Sequence, residues 1–170
     1  GSPVSSSLSI INKHELRKKC DIFNIPIPSY KIIENLTDVD RDSIEYPIVI
    51  KPSLSMIGKS GITIVPSSES FNDAFLYAKS NTVNGMVLVE EYLPGPDISY
   101  VGFVESGNLL PIIVLDEINK ELKNGVVTSH GYKVHDHYSK NSYVNESEII
   151  SKKLVDIFNI QRSPFMSCFR

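Results

Sequence analysis

Runs of apolar residues along this chain follow two periods, one typical of strands and one typical of amphipathic helices, which predicts an α+β protein. The clearest strand contains Ile48, Val49 and Ile50, consecutive β-branched residues that predict burial on both faces. After Lys51 the chain enters a loop rich in serine and glycine and returns in a second apolar run, Gly61 to Val65, which predicts a β-hairpin. A lysine therefore stands where a buried strand meets a loop that permits close backbone approach.

Helical periods appear in three segments. The first begins after Asn12, a candidate N-cap, and ends at the proline-rich turn at 25–28, because proline restricts the residue before it to extended conformations. The last is predicted to begin at an Asn145 cap and to run through Asn159. The predicted buried positions of the first two helices are Leu16, Cys20 and Phe23, followed by Phe71, Ala74, Phe75 and Ala78. Residues 3–11 are serine-rich and are predicted to be a leading segment of weak order.

Further β-rich runs predict strands on both sides of the second helix. They cover residues 30–33, 86–92, 97–105, 109–118, 126–134 and 165–170. The turn Ser106-Gly107-Asn108 joins two of them and predicts a second hairpin.

Composition excludes several classes of protein. With 170 residues, 41% of them hydrophobic, the chain is long enough to bury a core as one domain or two small lobes. A net charge of -3, from 17 basic and 20 acidic residues, favours neither nucleic acid nor anionic lipid as a partner. No apolar run approaches the roughly 20 residues of a membrane span. Cys20 and Cys168 have no metal-ligand spacing, so we expect buried free thiols in a cytoplasmic protein.

The first hairpin has the composition of a phosphate-binding flap, because such a site needs converging backbone N–H groups and a cation. Its candidate residues are Lys51, Ser53, Ser55, Gly58, Lys59, Ser60 and Gly61. The motif GxxxxGK(S/T) before a helix and the dinucleotide motif GxGxxG are both absent from the sequence. Spacing alone therefore leaves a phosphate flap and a plain hairpin equally open.

A group of histidines offers a second candidate site. His135-Asp136-His137 brings three possible metal ligands together, and His130 precedes them. Two ligands on one face of a strand, without a third nearby in sequence, are weak evidence for a metal. Surface loop residues are the favoured interpretation, and no metal ligand is assigned.

Three segments in succession resemble three blocks of the ATP-grasp superfamily. They are KHELRKKCDIFNIPIPSY, YPIVIKPSLSMIGKSGITIV and MVLVEEYLPGPDIS. The similarity is closest to the carbamoyl-phosphate-synthase-like ATP-binding domain, and it covers residues 12–105. It implies an α+β, ATP-grasp-type two-lobe fold. Residues 12–92 correspond to a small first lobe with the phosphate-flap hairpin, and 93–170 to part of a larger lobe with a central antiparallel sheet. Residues 1–11 are then a cloning scar with the leading segment, and the chain is expected to be truncated at its C-terminus.

The same resemblance implies a function. ATP is the expected cofactor, and the parent protein is expected to be a ligase that activates a carboxylate or bicarbonate as an acyl phosphate for attack by an amine or ammonia. Its partners are then small-molecule carboxylates and amines. The alternative is a nucleotide-binding or interaction module without chemistry of its own. An E-x-N-x-R-like segment after Arg170 would favour the enzyme.

Roles for individual residues follow from their matches to the family. Lys51 and Lys13 correspond to basic residues that contact the phosphates, and Asp97 to an acid that contacts the ribose, although the family usually has the longer glutamate there. The hinge beside the adenine corresponds to Glu90, Glu91, Tyr92 and Leu93, and a loop near the triphosphate to His130. Each has a structural alternative: a lysine at a strand end can simply reach solvent, Lys13 can lie on a solvated helix face, and a leucine can belong to the core. Only one acid of the Glu90–Glu91 pair is expected to face the base.

Magnesium is expected in the full-length protein, with ligands outside this chain. In the family they come from the last central strands, where this chain has Ser167 and Cys168 in place of a carboxylate or amide. We therefore expect the fragment to bind ATP weakly and to be inactive.

Overall fold

The computed structural model describes residues 3–55, 60–121, 127–135 and 142–170. Its α-helices are α1 (Val4–Ile11), α2 (Lys13–Ile22), α3 (Phe71–Ser80) and α4 (Ser142–Ile157). Its strands are β1 (Tyr30–Ile33), β2 (Ile48–Pro52), β3 (Thr63–Val65), β4 (Val87–Glu91), β5 (Asp97–Glu105), β6 (Asn108–Glu121), β7 (Val127–His135) and β8 (Arg162–Phe169). Among the described residues, no helix combines the length and apolar character that crossing a membrane requires.

The chain divides into two compact units. One contains Ile11–Leu93 together with Lys120–Ser129. The other contains Pro94–Asn119 and His130–Arg170 together with the N-terminal residues up to Ile10. Each unit is built on an antiparallel sheet, so both have the α+β character that the two apolar periods predict.

The sheet of the first unit has the strand order β1-β4-β2-β3. β2 and β3 form the predicted hairpin, with Ile48 opposite Val65 and Ile50 opposite Thr63. The inward positions Ile48 and Ile50 are buried, and the alternate position Val49 is half-buried, so the second face of β2 is partly covered. Helix α3 packs on this sheet through its predicted apolar face, which is buried at all four positions: Phe71, Ala74, Phe75 and Ala78.

The sheet of the second unit has the strand order β7-β6-β5-β8. Its predicted hairpin β5–β6 is confirmed, and the turn contains Ser106 at φ 51° and Gly107 at φ 78°. Positive φ at both central residues is what a two-residue hairpin turn requires, because it matches the twist of the strands. A bulge follows Val101, and a Cβ on Gly102 would lie 2.7 Å from the Leu110 carbonyl oxygen. Glycine at that position therefore allows the two strands to approach.

Two helices differ from the sequence-based predictions. Residues 4–11 form α1, although a leading segment of weak order was expected there. Val4, Leu8 and Ile11 have helical spacing, but the serines between them have only moderate helix propensity, so the sequence did not predict a helix. Helix α4 begins at Ser142, so the prediction of an Asn145 cap is wrong. The buried residue Val144 extends the apolar face of α4 one turn upstream, which explains the earlier start.

Two predicted core positions also differ. Phe23 follows the last residue of α2 and is 50% exposed, whereas Ile25 in the next turn is buried in its place. Cys20 is a buried free thiol as expected, but Cys168 is exposed, because it lies on the opposite face of β8 from the buried residues Phe165 and Ser167.

Candidate functional site

A buried carboxylate lies at the centre of the candidate site. Glu90, near the end of β4, has a side chain only 4% exposed. Its Oε1 accepts a hydrogen bond from Arg17 Nε at 2.8 Å, and its Oε2 accepts one from Arg17 Nη2 at 3.3 Å. Oε2 also lies 2.5 Å from Lys51 Nζ. Burial alone would raise the pKa of Glu90, but Lys51 and Arg17 outweigh it, so the pKa is lowered and the carboxylate stays ionised.

The register of the first sheet explains why Lys51 and Glu90 meet. β2 and β4 are antiparallel neighbours, and Val49 is the partner of Glu90. Lys51 is two residues further along β2, so its side chain leaves the same face of the sheet as that of Val49. Its side chain is 15% exposed. Burial lowers the pKa of Lys51, Glu90 opposes that effect, and Arg17 adds to it.

Helix α2 supplies the other cations, Lys13 and Arg17, which are four residues apart and therefore on one helix face. The backbone N–H of Lys13 donates to the Ser53 carbonyl oxygen at 2.9 Å, and its Nζ donates to Ser55 Oγ at 3.4 Å. Burial lowers the pKa of Lys13, Glu90 raises it and Arg17 lowers it, so all of these charges interact.

Two cationic side chains thus contact one carboxylate, and a third, Lys13, interacts with it electrostatically, which leaves a formal excess of two positive charges when both lysines are protonated. We call Lys13, Arg17, Lys51 and Glu90 the cation cluster. An excess of this sign beside a serine-containing loop suits an anion that carries several charges and several acceptor oxygens. A chain of phosphate groups has both properties.

The loop between β2 and β3, which we call the flap loop, has its first residues fixed by contacts with the rest of the protein. Ser53 is fully buried, its Oγ donates to Asn12 Oδ1 at 2.9 Å, and its N–H donates to the Met86 carbonyl oxygen at 3.0 Å. Ser53 therefore ties the start of the loop to the N-terminus of α2 and to the residue before β4. This connection brings Lys13 beside Ser55.

The far end of the loop is anchored in the same way. Ser60 Oγ donates to Asn81 Oδ1 at 2.6 Å. Gly61 has φ +80°, and a Cβ on it would lie only 2.8 Å from the Asn81 Cβ. Gly61 is thus required by backbone conformation and packing. The predicted loop-tip residues Gly58 and Lys59, like Met56 and Ile57, lie outside the described residues.

The predicted hinge residues follow Glu90. The side chain of Glu91 is exposed and accepts a hydrogen bond from Ser29 Oγ at 2.9 Å. The N–H of Tyr92 donates to the Pro47 carbonyl oxygen at 3.3 Å, and Leu93 is half-buried. The two adjacent acids therefore have different surroundings, one buried among cations and one in solvent.

Asp97 and His130 belong to the second unit. Asp97 accepts hydrogen bonds from Arg170 on both carboxylate oxygens, with Nε 2.8 Å from Oδ1 and Nη2 3.3 Å from Oδ2, and also from the side-chain amide of Asn119. The paired arginine fixes the orientation of the Asp97 carboxylate at the start of β5. His130 lies in β7 and is exposed.

The described residues do not fit a bound magnesium ion. On β8, Ser167 Oγ lies 2.7 Å from Ser151 Oγ, and Cys168 Sγ lies 3.4 Å from Ser99 Oγ. Hydroxyl and thiol groups that already have protein partners are poor replacements for the carboxylate oxygens that Mg²⁺ prefers. Within the described ranges, no group of three His, Cys, Asp or Glu side chains could hold a metal ion. Asp136 and His137 of the histidine motif lie outside those ranges.

Arg17 is the member of the cluster that sequence reasoning missed. Its position four residues after Lys13 was the available signal, because that spacing puts both on one helix face. No role was predicted for Arg17 from the sequence. The structure buries Arg17 to 19% exposure against Glu90.

Comparison with known families now adds to this geometry. Residues 13–108 match the family described as carbamoyl-phosphate synthase L chain, ATP binding domain. The chain belongs to this family. Among curated relatives, a phosphoribosylamine–glycine ligase of Neisseria meningitidis is 29% identical over 109 residues, which are 61% of this chain and 25% of the relative. The vancomycin B-type resistance protein VanB of Enterococcus faecalis is 28% identical over 131 residues, or 76% of this chain and 36% of the relative.

Solved structures of ligases share the fold. An L-amino acid ligase from Bacillus licheniformis superposes with a TM-score of 0.77 at 15% identity, covering 100% of this chain and 39% of the ligase. The VanG D-Ala:D-Ser ligase from Enterococcus faecalis superposes with a TM-score of 0.77 at 15% identity, covering 97% of this chain and 50% of the ligase. A D-alanine–D-alanine ligase from Bacillus anthracis superposes with a TM-score of 0.66 at 19% identity, covering 98% of this chain and 55% of the ligase. The predicted ATP-grasp fold is confirmed. The chain spans 25–36% of the length of the two curated relatives and 39–55% of the length of these solved structures.

Proposed function

We propose that this family member is the nucleotide-binding portion of an ATP-dependent ligase, and that Lys51 and Lys13 bind the phosphates of ATP. In such a ligase the γ-phosphoryl group of ATP passes to a carboxylate oxygen, which gives ADP and an acyl phosphate. An amine or ammonia then attacks the acyl carbon, phosphate leaves, and the nitrogen loses a proton. The products are an amide, ADP and phosphate.

The observation that carries the proposal is the positive excess of the cation cluster. A buried Lys–Glu pair on its own would be neutral and would attract an anion weakly. Here Glu90 is shared between Lys51 and Arg17, with Lys13 nearby, so positive charge remains for phosphate oxygens. That charge lies next to the loop that matches the family's phosphate flap, within the residues that match the family.

The residues of the proposed nucleotide site divide by the part of ATP they bind. We assign Ser55, Ser60 and Gly61 to the phosphate side together with the two lysines, and Ser53 supports Ser55 from the core. Gly58 and Lys59, which the sequence predicts for the same side, lie outside the described residues. We assign the adenine to the hinge Glu91–Leu93 and the ribose to Asp97. His130 is a proposed neighbour of the phosphates. Magnesium, which the family typically uses, finds no fitting ligand set among the described residues, so no step is assigned to it.

The substrates are proposed by class. Several relatives are named as ligases of amino acids: glycine, alanine, serine and L-amino acids appear in their names. We therefore propose a small carboxylate, such as an amino acid, as the group activated and a small amine or ammonia as the acceptor.

The test is ADP formation by the natural full-length protein, supplied with ATP, Mg²⁺ and a panel of amino acids, other small carboxylates, bicarbonate and ammonia. Formation of ADP and phosphate that depends on both a carboxylate and an amine supports the ligase. ATP binding without ADP formation under any condition would identify a non-catalytic nucleotide-binding module instead. Absence of both binding and turnover would contradict the proposal.

A further inference from the structure

The contact between Arg17 and Glu90 differs in kind from that between Lys51 and Glu90. Arg17 binds both carboxylate oxygens through two different nitrogens, at 2.8 Å and 3.3 Å. A planar guanidinium that binds a carboxylate in this way fixes the plane of the carboxylate as well as its position. Lys51 touches one oxygen as a point charge. The orientation of Glu90 is therefore set by Arg17 and then passed on to Lys51.

The lysine depends on this orientation because of its chemistry. A lysine side chain has four methylene groups and adopts many rotamers unless a partner restrains its ammonium group. Glu90 Oε2 is that partner, and its side chain is buried while those of Arg17 and Lys51 remain slightly accessible. A displacement of the Glu90 carboxylate would move the Lys51 ammonium with it.

Arg17 also changes the charge available at Lys51. Without Arg17, the carboxylate of Glu90 would pair with Lys51 alone and neutralise it, and the formal excess of the cluster would fall from two positive charges to one. Arg17 thus has two effects through Glu90: it holds the carboxylate in place and keeps it from neutralising Lys51.

We propose that Arg17 is a positioning residue that grips the Glu90 carboxylate and thereby places the Lys51 ammonium group for phosphate binding. Its role in ATP binding rests on the proposed function; its effect on Lys51 does not. In this proposal Glu90 orients cations and does not recognise the adenine, so recognition of the base is left to the exposed side and backbone of the hinge that follows it.

The first experiment is a double-mutant cycle on ATP affinity, measured by calorimetric titration of the whole chain carrying Arg17→Met, Glu90→Gln or both, with Arg17→Lys as the conservative variant. We expect Arg17→Met to weaken ATP binding about tenfold in the presence of Glu90, and less than about threefold in the Glu90→Gln background, because contacting residues are energetically coupled. Arg17→Lys keeps the charge but cannot bind both carboxylate oxygens of Glu90 as arginine does, so its ATP affinity should remain reduced.

Three results of this experiment would overturn the proposal. An Arg17→Met effect of equal size in both backgrounds would show that Arg17 acts on the nucleotide directly and not through Glu90. An ATP affinity unchanged by Arg17→Met, with only the unfolding temperature lowered, would show a purely structural salt bridge. An ATP affinity of Arg17→Lys equal to that of wild type would exclude a role for the contact with both carboxylate oxygens.

The second experiment needs no nucleotide. Lys51 is labelled with an amine-acylating reagent across a pH series, and the extent is read by mass spectrometry, with the exposed Lys31 as the internal control. Among the described residues, the charged groups facing Lys51 are Glu90 from β4 and Arg17 and Lys13 from α2. Arg17→Met should move the midpoint of Lys51 labelling to higher pH and leave Lys31 unchanged. An unmoved midpoint would refute the role of Arg17. If wild type fails to bind ATP while the midpoint moves, the proposed function fails and the effect of Arg17 on Lys51 stands.

Discussion

The ammonium nitrogen of Lys51 lies 2.5 Å from Oε2 of Glu90, on the opposing strand of the same sheet. The two residues come from different sequence blocks, the strand before the flap loop and the strand before the hinge. Their contact joins the two blocks into one site. It also makes the carboxylate a part of the phosphate side of the proposed nucleotide site.

Removing the carboxylate charge should destabilise the protein. Glu90→Ala leaves Arg17 and Lys51 with no shared partner at a largely buried position, and breaking a buried ion pair from one side typically costs about 3–5 kcal/mol. We expect a loss at the lower end of that range, because both cations keep some contact with solvent. Urea unfolding measures it, with Glu91→Ala as the exposed neighbouring control. Equal, small losses for both variants would contradict the central position of Glu90.

The same carboxylate should contribute to acid sensitivity. The pKa of Glu90 is lowered from its ordinary value of 4.5, so its contribution to stability is complete above that pH and is lost as the pH falls through the lower folded value. Glu90→Gln should therefore lose less free energy of unfolding than wild type between about pH 5 and pH 3. Asp38 also has a lowered pKa, because backbone N–H groups of Asn35 and Glu34 donate to it. Wild type and Glu90→Gln both keep this contribution of Asp38 to acid sensitivity. Equal losses of free energy of unfolding in wild type and Glu90→Gln as the pH falls would rule out the contribution of Glu90.

The glycine at the end of the flap loop should be difficult to replace. Gly61→Ala adds a Cβ at φ +80°, only 2.8 Å from the Asn81 Cβ, and a non-glycine residue in such a conformation costs about 1–3 kcal/mol. Gly131→Ala is the matched control, since a Cβ there meets nothing within 4 Å and its φ is not positive. Thermal unfolding compares the two. If Gly61→Ala is as stable as Gly131→Ala, the glycine is not required by packing.

Asp97 offers a test of the proposed contact with the ribose. Asp97→Asn keeps the shape of the side chain but removes the charge that Arg170 binds and weakens acceptance from a ribose hydroxyl. We expect the preference for ATP over dATP to narrow severalfold, with a small change in ATP affinity. Competition titrations with both nucleotides measure it. A preference identical to that of wild type would remove Asp97 from the nucleotide site.

The sequence allowed much of this fold to be predicted where one apolar period was strong. The hairpin β2–β3, the buried face of α3 and the turn of the second hairpin follow from β-branched runs, helical spacing and the Ser106–Asn108 turn. Lys51 was found as a charge at the end of a buried strand, and the Glu90–Glu91 pair through its match to the family. These features depend on neighbours close in sequence, which a local pattern can reveal.

The contact that organises the candidate site could not be predicted in the same way. Arg17 and Glu90 are 73 residues apart, and pairing them requires knowing which face of α2 meets the end of β4. Ser53 gave a similar difficulty, since glycine- and serine-rich composition predicts close approach to a ligand and to protein equally well. Its complete burial and its bonds to Asn12 and Met86 come from tertiary packing.

The most direct test of the central claim is ATP affinity after removal of the Lys51 charge. Lys51→Met keeps the apolar stem and removes the ammonium group, and a charged hydrogen bond to phosphate contributes about 1.5–3 kcal/mol. Lys31→Met is the control, because Lys31 is an exposed lysine in the same sheet. Calorimetric titration should show at least about a tenfold weaker affinity for Lys51→Met and wild-type affinity for Lys31→Met. Equal ATP affinities for wild type and both variants would contradict the account.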